Sequence, residues 1–287
     1  MRSLAFLDLS RAGFAKMIPH ELGNLSVLSY LNLSYSYGLK ADGLQWLSTP
    51  TSLEFLDLSR LGLGAASNWG QAVSMLHTLV GLHLRSCRLN QISYSLSSSN
   101  MSSLRALDLS NNSLECFAPN WLFELHGLVY LNIKYRDFHG PIPPGVQNMT
   151  AIRFLNLKGN YFSSSISDWL CNSIHLGYLD LSLNDLSGTL CNTMGNLTSL
   201  RVLDLAESKI HGNIPKSLGK LCNLNELVLE GMRINEKAST IMKALSTGCL
   251  SYILEKLDLI YTQLYGPLAD TFDQFVGRMK TLGSLNL

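Results

Sequence analysis

The chain has 287 residues, with 22 basic and 21 acidic side chains and a formal net charge of +1. That balance gives no global attraction to nucleic acid or to an anionic membrane surface. Charged residues make up only 15% of the chain, against roughly 25% in ordinary soluble domains, so the polar surface must come from Ser, Asn, Thr and Gly or from groups attached to them.

The first residues, MRSLAFLDLS, lack the basic stretch and long apolar run of a signal peptide. No apolar run approaches the length of about 18 residues that a spanning helix needs, so any membrane attachment has to come from segments outside this chain. Cys87, Cys116, Cys171, Cys191, Cys222 and Cys249 form neither a C-x-x-C pair nor a zinc-ligand spacing, and the seven histidines are scattered. No metal site and no cofactor is expected.

From its start the chain repeats L-x-x-L-x-L. The units run LAFLDL at Leu4, LSYLNL at Leu28, LEFLDL at Leu53, LVGLHL at Leu79, LRALDL at Leu104 and LVYLNI at Leu128. They continue as IRFLNL at Ile152, LGYLDL at Leu176, LRVLDL at Leu200, LNELVL at Leu224, LEKLDL at Leu254 and LGSLNL at Leu282. Between middle leucines the steps are 24, 25, 26, 25, then five of 24, then 30 and 28. In x-L-x-L-x both leucines face one side of a pleat and the intervening residues face the other. One coil cannot bury its leucines, whereas coils stacked about 4.8 Å apart bury them continuously. This is the leucine-rich-repeat signature. It predicts one α/β-type solenoid over residues 1–287, with about twelve repeats, a parallel sheet on its concave face and 3-10, PPII or short-helix segments on its convex side.

The outer halves follow their own pattern, as in FAKMIPHELGNLSVL, FHGPIPPGVQNMTAI, LSGTLCNTMGNLTSL and IHGNIPKSLGKLCNL. Glycine takes the bend, proline presets the start of a turn, and later apolar residues cover the core. Trp46, Trp121 and Trp169 each stand seven residues past the apolar residue that opens this half. A shared phase favours packing over recognition. In the lengthened repeat, at about 230–257, Ala238, Ile241, Met242 and Leu245 fall at helical spacing and predict a short amphipathic helix on the convex side.

Three residues past the strands runs a column suited to a buried amide that bonds neighbouring backbone turns. Asn112, Asn160 and Asn184 fill it, while Cys87, Ser36, Ser208 and Thr262 are small substitutes. Ala12, Leu61, Arg136 and Met232 are unsuited to that role. An unpaired buried guanidinium is costly, so Arg136 is expected to swing out to solvent or to find a carboxylate such as Asp137 or Glu115.

The Gly-x-Ile-Pro-x-x-Leu-Gly-Asn-Leu outer half on a 24-residue step resembles the plant-specific class of extracellular leucine-rich repeats, over essentially the whole chain. GLQWLS, LGKLCNLNELVL and GCLSYILEKLDL followed by LYGPLADTFDQF narrow the resemblance. They are similar to plant receptor-like proteins of the branch containing the receptors for fungal ethylene-inducing xylanase. The resemblance implies an ectodomain outside the plasma membrane, a single membrane helix, a tail without a kinase, and signalling through partner receptor kinases. The family's cysteine-containing cap, later repeats and membrane helix are absent from this sequence. The ends are therefore expected to be uncapped, the chain being an internal portion of a longer receptor or a truncated gene copy.

On the concave face the residues before the middle leucine include Phe6, Tyr30, Phe55, Tyr130, Phe154 and Tyr178. Stacking between neighbouring strands accounts for such a stripe, and a ligand track is the competing reading. Serine recurs in the third column but gives way to Arg85, Lys134 and Lys158, a change that packing does not require. The expected ligand-binding set is His83, Arg85, Tyr130, Lys134, Phe154, Lys158 and Tyr178. Asp180 and Asp204 would lie near the separation of a retaining glycosidase pair of about 5–5.5 Å. Carboxylates recur along an open face, however, and nothing there excludes water, so no enzyme and no catalytic residue is expected. N-x-S/T acceptor sites occur at Asn24, Asn32, Asn100, Asn111, Asn148 and Asn196.

The leading expectation is a non-enzymatic recognition module of a plant defence receptor. Its partners would be a peptide or protein ligand and co-receptor kinases, with no nucleic acid. The alternatives are a secreted inhibitor of a cell-wall hydrolase, similar to polygalacturonase-inhibiting proteins, and the ectodomain of a kinase-bearing receptor.

Overall fold

Each x-L-x-L-x segment forms a three-residue strand in the computed structural model, which describes residues 3–49, 52–114, 116–246, 248–267 and 269–287. The chain divides into two compact units, Met1–His139 with Pro143–Ile152, and Gly140–Ile142 with Arg153–Leu287. In the first unit Phe6–Asp8, Tyr30–Asn32, Phe55–Asp57, Gly81–His83, Ala106–Asp108 and Tyr130–Asn132 pair in chain order. In the second, Phe154–Asn156, Tyr178–Asp180, Val202–Asp204, Glu226–Val228, Lys256–Asp258 and Ser284–Asn286 do the same. Every pairing is parallel, and its register sets middle leucine beside middle leucine, as with Leu179 against Leu203.

That register builds the core. Leu31, Leu56, Leu82, Leu107 and Leu131 are at most 1% exposed, and Leu155, Leu179, Leu203 and Leu227 are at 0%. A fully buried leucine contributes about 1.5–3 kcal/mol of transfer free energy, and only the stacked neighbour makes that burial possible.

The outer halves form the expected short turns. Pro19, Pro119, Pro143 and Pro215 stand immediately before His20–Asn24, Asn120–Phe123, Pro144–Asn148 and Lys216–Lys220, with φ between −56° and −71°. Trp46, Trp121 and Trp169 are 5%, 3% and 6% exposed, and Trp121 Nε1 donates to the Ser93 carbonyl at 2.7 Å. They pack the outer layer.

The lengthened repeat forms a helix at Ala238–Leu245. Ala238, Ile241, Met242 and Leu245 are buried, and the helix packs on Lys216–Lys220, Gly248–Tyr252 and the ten-residue helix Ala269–Arg278. Its apolar stripe is covered by its own chain.

The amide column works as expected. Asn112 Nδ2 donates to the carbonyls of Leu84, Leu109 and Ser110, and its Oδ1 accepts from the backbone of Cys87 and Leu89. Asn184 repeats the scheme with Leu157, Leu181, Ser182 and Phe162. Among the small substitutes, Ser208 donates to the Leu205 carbonyl and Thr262 to the Leu259 carbonyl.

Arg136 departs from the first of its two expectations. It does not swing out: it is 0% exposed, with its guanidinium carbon 5.7 Å from the Phe138 ring centroid. Burial pulls its pKa down to about 9. Of the two suggested carboxylates, Asp137 accepts a hydrogen bond from Ser113 Oγ at 2.8 Å, and Glu115 lies outside the described residues.

Other features are not foreshadowed by the leucine pattern. Two residues past the outer leucine, every repeat from Arg11 to Tyr261 passes through the left-handed region, with φ between 51° and 74°. Beyond that bend a second line of short parallel contacts forms, such as Ala15–Met17 with Gly38–Lys40 and His211 with Arg233. Cys171 is bonded to Cys191 and Cys222 to Cys249, while Cys87 and Cys116 are free thiols.

Candidate ligand-binding face

The strand faces turned away from the leucines carry three side-chain columns. In the first, rings lie on one another. Phe6 and Tyr30 stack at 4.2 Å between centroids, Tyr30 and Phe55 at 4.5 Å, and in the second unit Phe154 and Tyr178 at 4.3 Å. Interplanar angles of 12°, 5° and 12° make these parallel stacks. Parallel pairing about 4.8 Å apart puts identical positions at ring-stacking distance, so the register itself produces the ladder.

The ladder has a gap at Gly81 and Ala106. Phe55 leans over Gly81, where an added methyl would come within 2.9 Å of its ring. His83 steps in from the second column, 5.3 Å from Phe55 and 6.4 Å from Tyr130. It thereby continues the ring ladder in the first unit toward Tyr130.

The second column is a backbone device. Oδ1 of Asp8, Asn32, Asp57, Asp108, Asn156, Asp180, Asp204 and Asp258 accepts the N–H two residues on, which terminates each strand. Where Asn stands beside Asp, its amide bridges sideways. Asn32 donates to Asp8, Asn132 to Asp108, Asn156 to Asp180 and Asn286 to Asp258. Asp180 further accepts from the Ser182 and Tyr178 hydroxyls. These carboxylates are committed acceptors, which accounts for their recurrence.

The third column holds the basic exceptions. Arg85 and Lys134 are half-buried on the first unit, and the Lys134 backbone N–H donates to Asn132 Oδ1 at 3.4 Å. In the second unit Lys158 reaches across to Asp204, Nζ to Oδ2 3.8 Å. Burial, with Asp180 close by, raises the Asp204 pKa despite that lysine. Burial and Asp180 also push the Tyr178 phenol up to about 12, and burial raises Tyr130 as well. Lys158 is thus partly engaged before any ligand arrives, a pairing two strands apart that sequence spacing alone does not mark.

Of the acceptor asparagines, Asn24, Asn100, Asn148 and Asn196 are exposed in the outer turns. Asn32 and Asn111 are half-buried, and their amides donate to Asp8 and Ser110.

Leucine rich repeat family patterns match residues 77–137, 151–173 and 199–221. With the parallel leucine-faced strands, these give the chain a leucine-rich-repeat solenoid fold. Among proteins with that fold it is similar to plant receptor-like proteins. It is 32% identical to the Receptor-like protein EIX1 of Solanum lycopersicum over 147 residues, half of this chain and 14% of the relative. It is 33% identical to Receptor-like protein 47 of Arabidopsis thaliana over 126 residues, 42% of this chain and 15% of the relative. The chain therefore spans only a minor part of the length of the curated relatives it matches. Among solved structures, it resembles the Arabidopsis receptor kinase HAESA in complex with the peptide hormone IDA and the co-receptor SERK1. There the TM-score is 0.71 at 25% identity, over 91% of this chain and 46% of that one. A leucine-rich-repeat protein of Leptospira interrogans superposes with a TM-score of 0.73 at 26% identity, over 94% of this chain and 64% of that one. Among the described residues no helix is long and apolar enough to cross a membrane.

Proposed function

We propose that this chain is a ligand-recognition ectodomain of a plant defence receptor, lying outside the plasma membrane. It captures a peptide or protein elicitor on its exposed strand faces and signals through partner receptor kinases. The observation that carries the reading is the break in the serine column at Arg85, Lys134 and Lys158, beside half-buried ring stacks. Aromatic rings with nearby cations are hot-spot chemistry for protein partners. The similarity to plant receptor-like proteins and to a peptide-bound receptor kinase supports it. Glycans on Asn24, Asn100, Asn148 and Asn196 would leave the strand faces open. The second-column carboxylates serve as backbone acceptors, and the reading is accordingly non-enzymatic.

Two double variants test the faces separately, Arg85→Ser with Lys134→Ser and Phe154→Ser with Lys158→Ser. Surface plasmon resonance against fungal culture-filtrate proteins should show binding by the native chain and its loss in at least one variant, with thermal unfolding little changed. Full retention in both would refute the assignment of the strand faces.

A further inference from the structure

The flank of the first unit, beside the strands rather than on their exposed face, carries a separate concentration of cations and rings. Its basis is the left-handed bend that follows the outer leucine, because successive bends set their side chains in a row. In the first three repeats that row reads Arg11, Tyr35, Arg60. The Tyr35 ring stands between two guanidinium groups, Arg11 at 5.1 Å and Arg60 at 4.9 Å from its centroid. Arg60 Nη1 donates to the Tyr37 hydroxyl at 3.1 Å, and the Tyr35 and Tyr37 rings meet edge-on at 6.5 Å. A hollow of about 450 Å³ opens here, lined by Arg11, Gly13, Phe14, Tyr35, Tyr37 and Gly38.

The surrounding charge is one-sided. Apart from Arg85 of the strand face, stretches 9–17, 33–42, 58–66 and 84–91 contain Arg11, Lys16, Lys40, Arg60 and Arg88, against the single carboxylate of Asp42. Among the described residues none of these cations enters an ion pair. Arg60 Nε is a buried donor without an acceptor. Beside it Tyr37, in the second repeat, is 68% exposed. Packing does not require this arrangement: it leaves the Tyr37 ring in water and a buried donor unused. The two stacked guanidinium groups are already oriented, so an incoming anion would order little further.

We propose that this flank binds an acidic peptide segment. A carboxylate enters the hollow to meet Arg11, and a neighbouring apolar side chain lies on Tyr37 and Phe14. Exposed rings beside cations suit a peptide, which supplies carboxylates and apolar side chains together.

The test is fluorescence anisotropy of a labelled, end-blocked octapeptide, Asp-Glu-Phe-Asp-Glu-Leu-Asp-Glu, with the full chain at about 150 mM salt to screen diffuse attraction. Saturable binding is expected. It should weaken about tenfold or more in Arg11→Gln with Tyr37→Ala, and should persist in Arg233→Gln, a flank change on the second unit. The same peptide with Asn and Gln in place of its acids should not bind, a comparison that needs no folded variant. The proposal is overturned by absent saturable binding, by equal binding of the amide peptide, or by tighter binding of an oligogalacturonate of equal charge. Because none of these substitutions touches the strand face, failure here leaves the elicitor reading standing, and the reverse also holds.

Discussion

Replacing Asn112 with alanine isolates the energetic weight of the buried amide column. The side chain is 3% exposed and makes five hydrogen bonds, three given to carbonyls and two received from the N–H groups of Cys87 and Leu89. Truncation strands both N–H donors away from water, at about 1–3 kcal/mol each. The expected loss is therefore about 4 kcal/mol, most of it on the donor side. Ser208→Ala is the internal control, since that hydroxyl gives one bond, to the Leu205 carbonyl at 2.8 Å, and should cost about 1 kcal/mol. Asn112→Asp keeps an acceptor but turns a second oxygen toward the carbonyls of Leu84 and Leu109, so it should do no better than alanine. Urea unfolding gives the totals. Because repeat arrays can open in stages, amide exchange at Cys87 and Leu89 supplies the local readout. Equal losses for Asn112→Ala and Ser208→Ala, with exchange at those amides unchanged, would refute the reasoning.

Two further perturbations act on backbone strain and on charge. Leu183 sits at φ 56° and is 43% exposed, so Leu183→Asn should raise stability by about 0.5–1 kcal/mol, read as a higher urea midpoint; a lower midpoint would show that side-chain contacts outweigh the left-handed backbone there. The Asp204 pKa is raised above 3.8, chiefly by burial, so the folded chain keeps this proton to higher pH than the unfolded chain does. Stability from this group is then greatest below 3.8 and falls as pH rises through the folded value. Asp204→Asn still offers an acceptor to the Ala206 N–H, and should melt above the native chain at about pH 7, the gap closing below about pH 4. A gap independent of pH in thermal melts would remove the carboxylate as its cause.

What the sequence disclosed is what the pleat dictates. Leucines two residues apart must share a face, so the strands, the core and the parallel stacking followed from the period alone. The helix Ala238–Leu245 was equally legible, because its apolar spacing matches 3.6 residues per turn. The left-handed column was not, since only Gly159, Gly231 and Asn111 look like residues chosen for positive φ, while Arg11, Tyr35, Arg60 and Leu183 hide it. The swing of Arg136 to solvent failed for a related reason: a rule about the cost of an isolated charge says nothing of the Phe138 ring beside this particular guanidinium. In the candidate face, the residue types were readable and their commitments were not. His83 fills the gap left by Gly81 and Ala106, and Lys158 reaches Asp204; both relations cross repeats.

Those commitments decide which side chains can answer to a ligand. The second column looks like the most polar stripe on the strand faces, yet its oxygens cap the strands and bridge to neighbouring asparagines, so a ligand competing for them would unfasten the backbone turn. The ring faces are likewise spent on one another in the Phe6–Tyr30–Phe55 and Phe154–Tyr178 stacks, leaving edges for contact. On the proposed reading, discrimination among ligands then falls to positions that neither cap nor stack: the third column, where serine yields to Arg85 and Lys134, and the flank beyond the bend, where Arg11 and Tyr37 stand exposed. A repeat protein can vary those positions without disturbing a leucine, an amide or a cap, and recognition can therefore change while the fold stays the same.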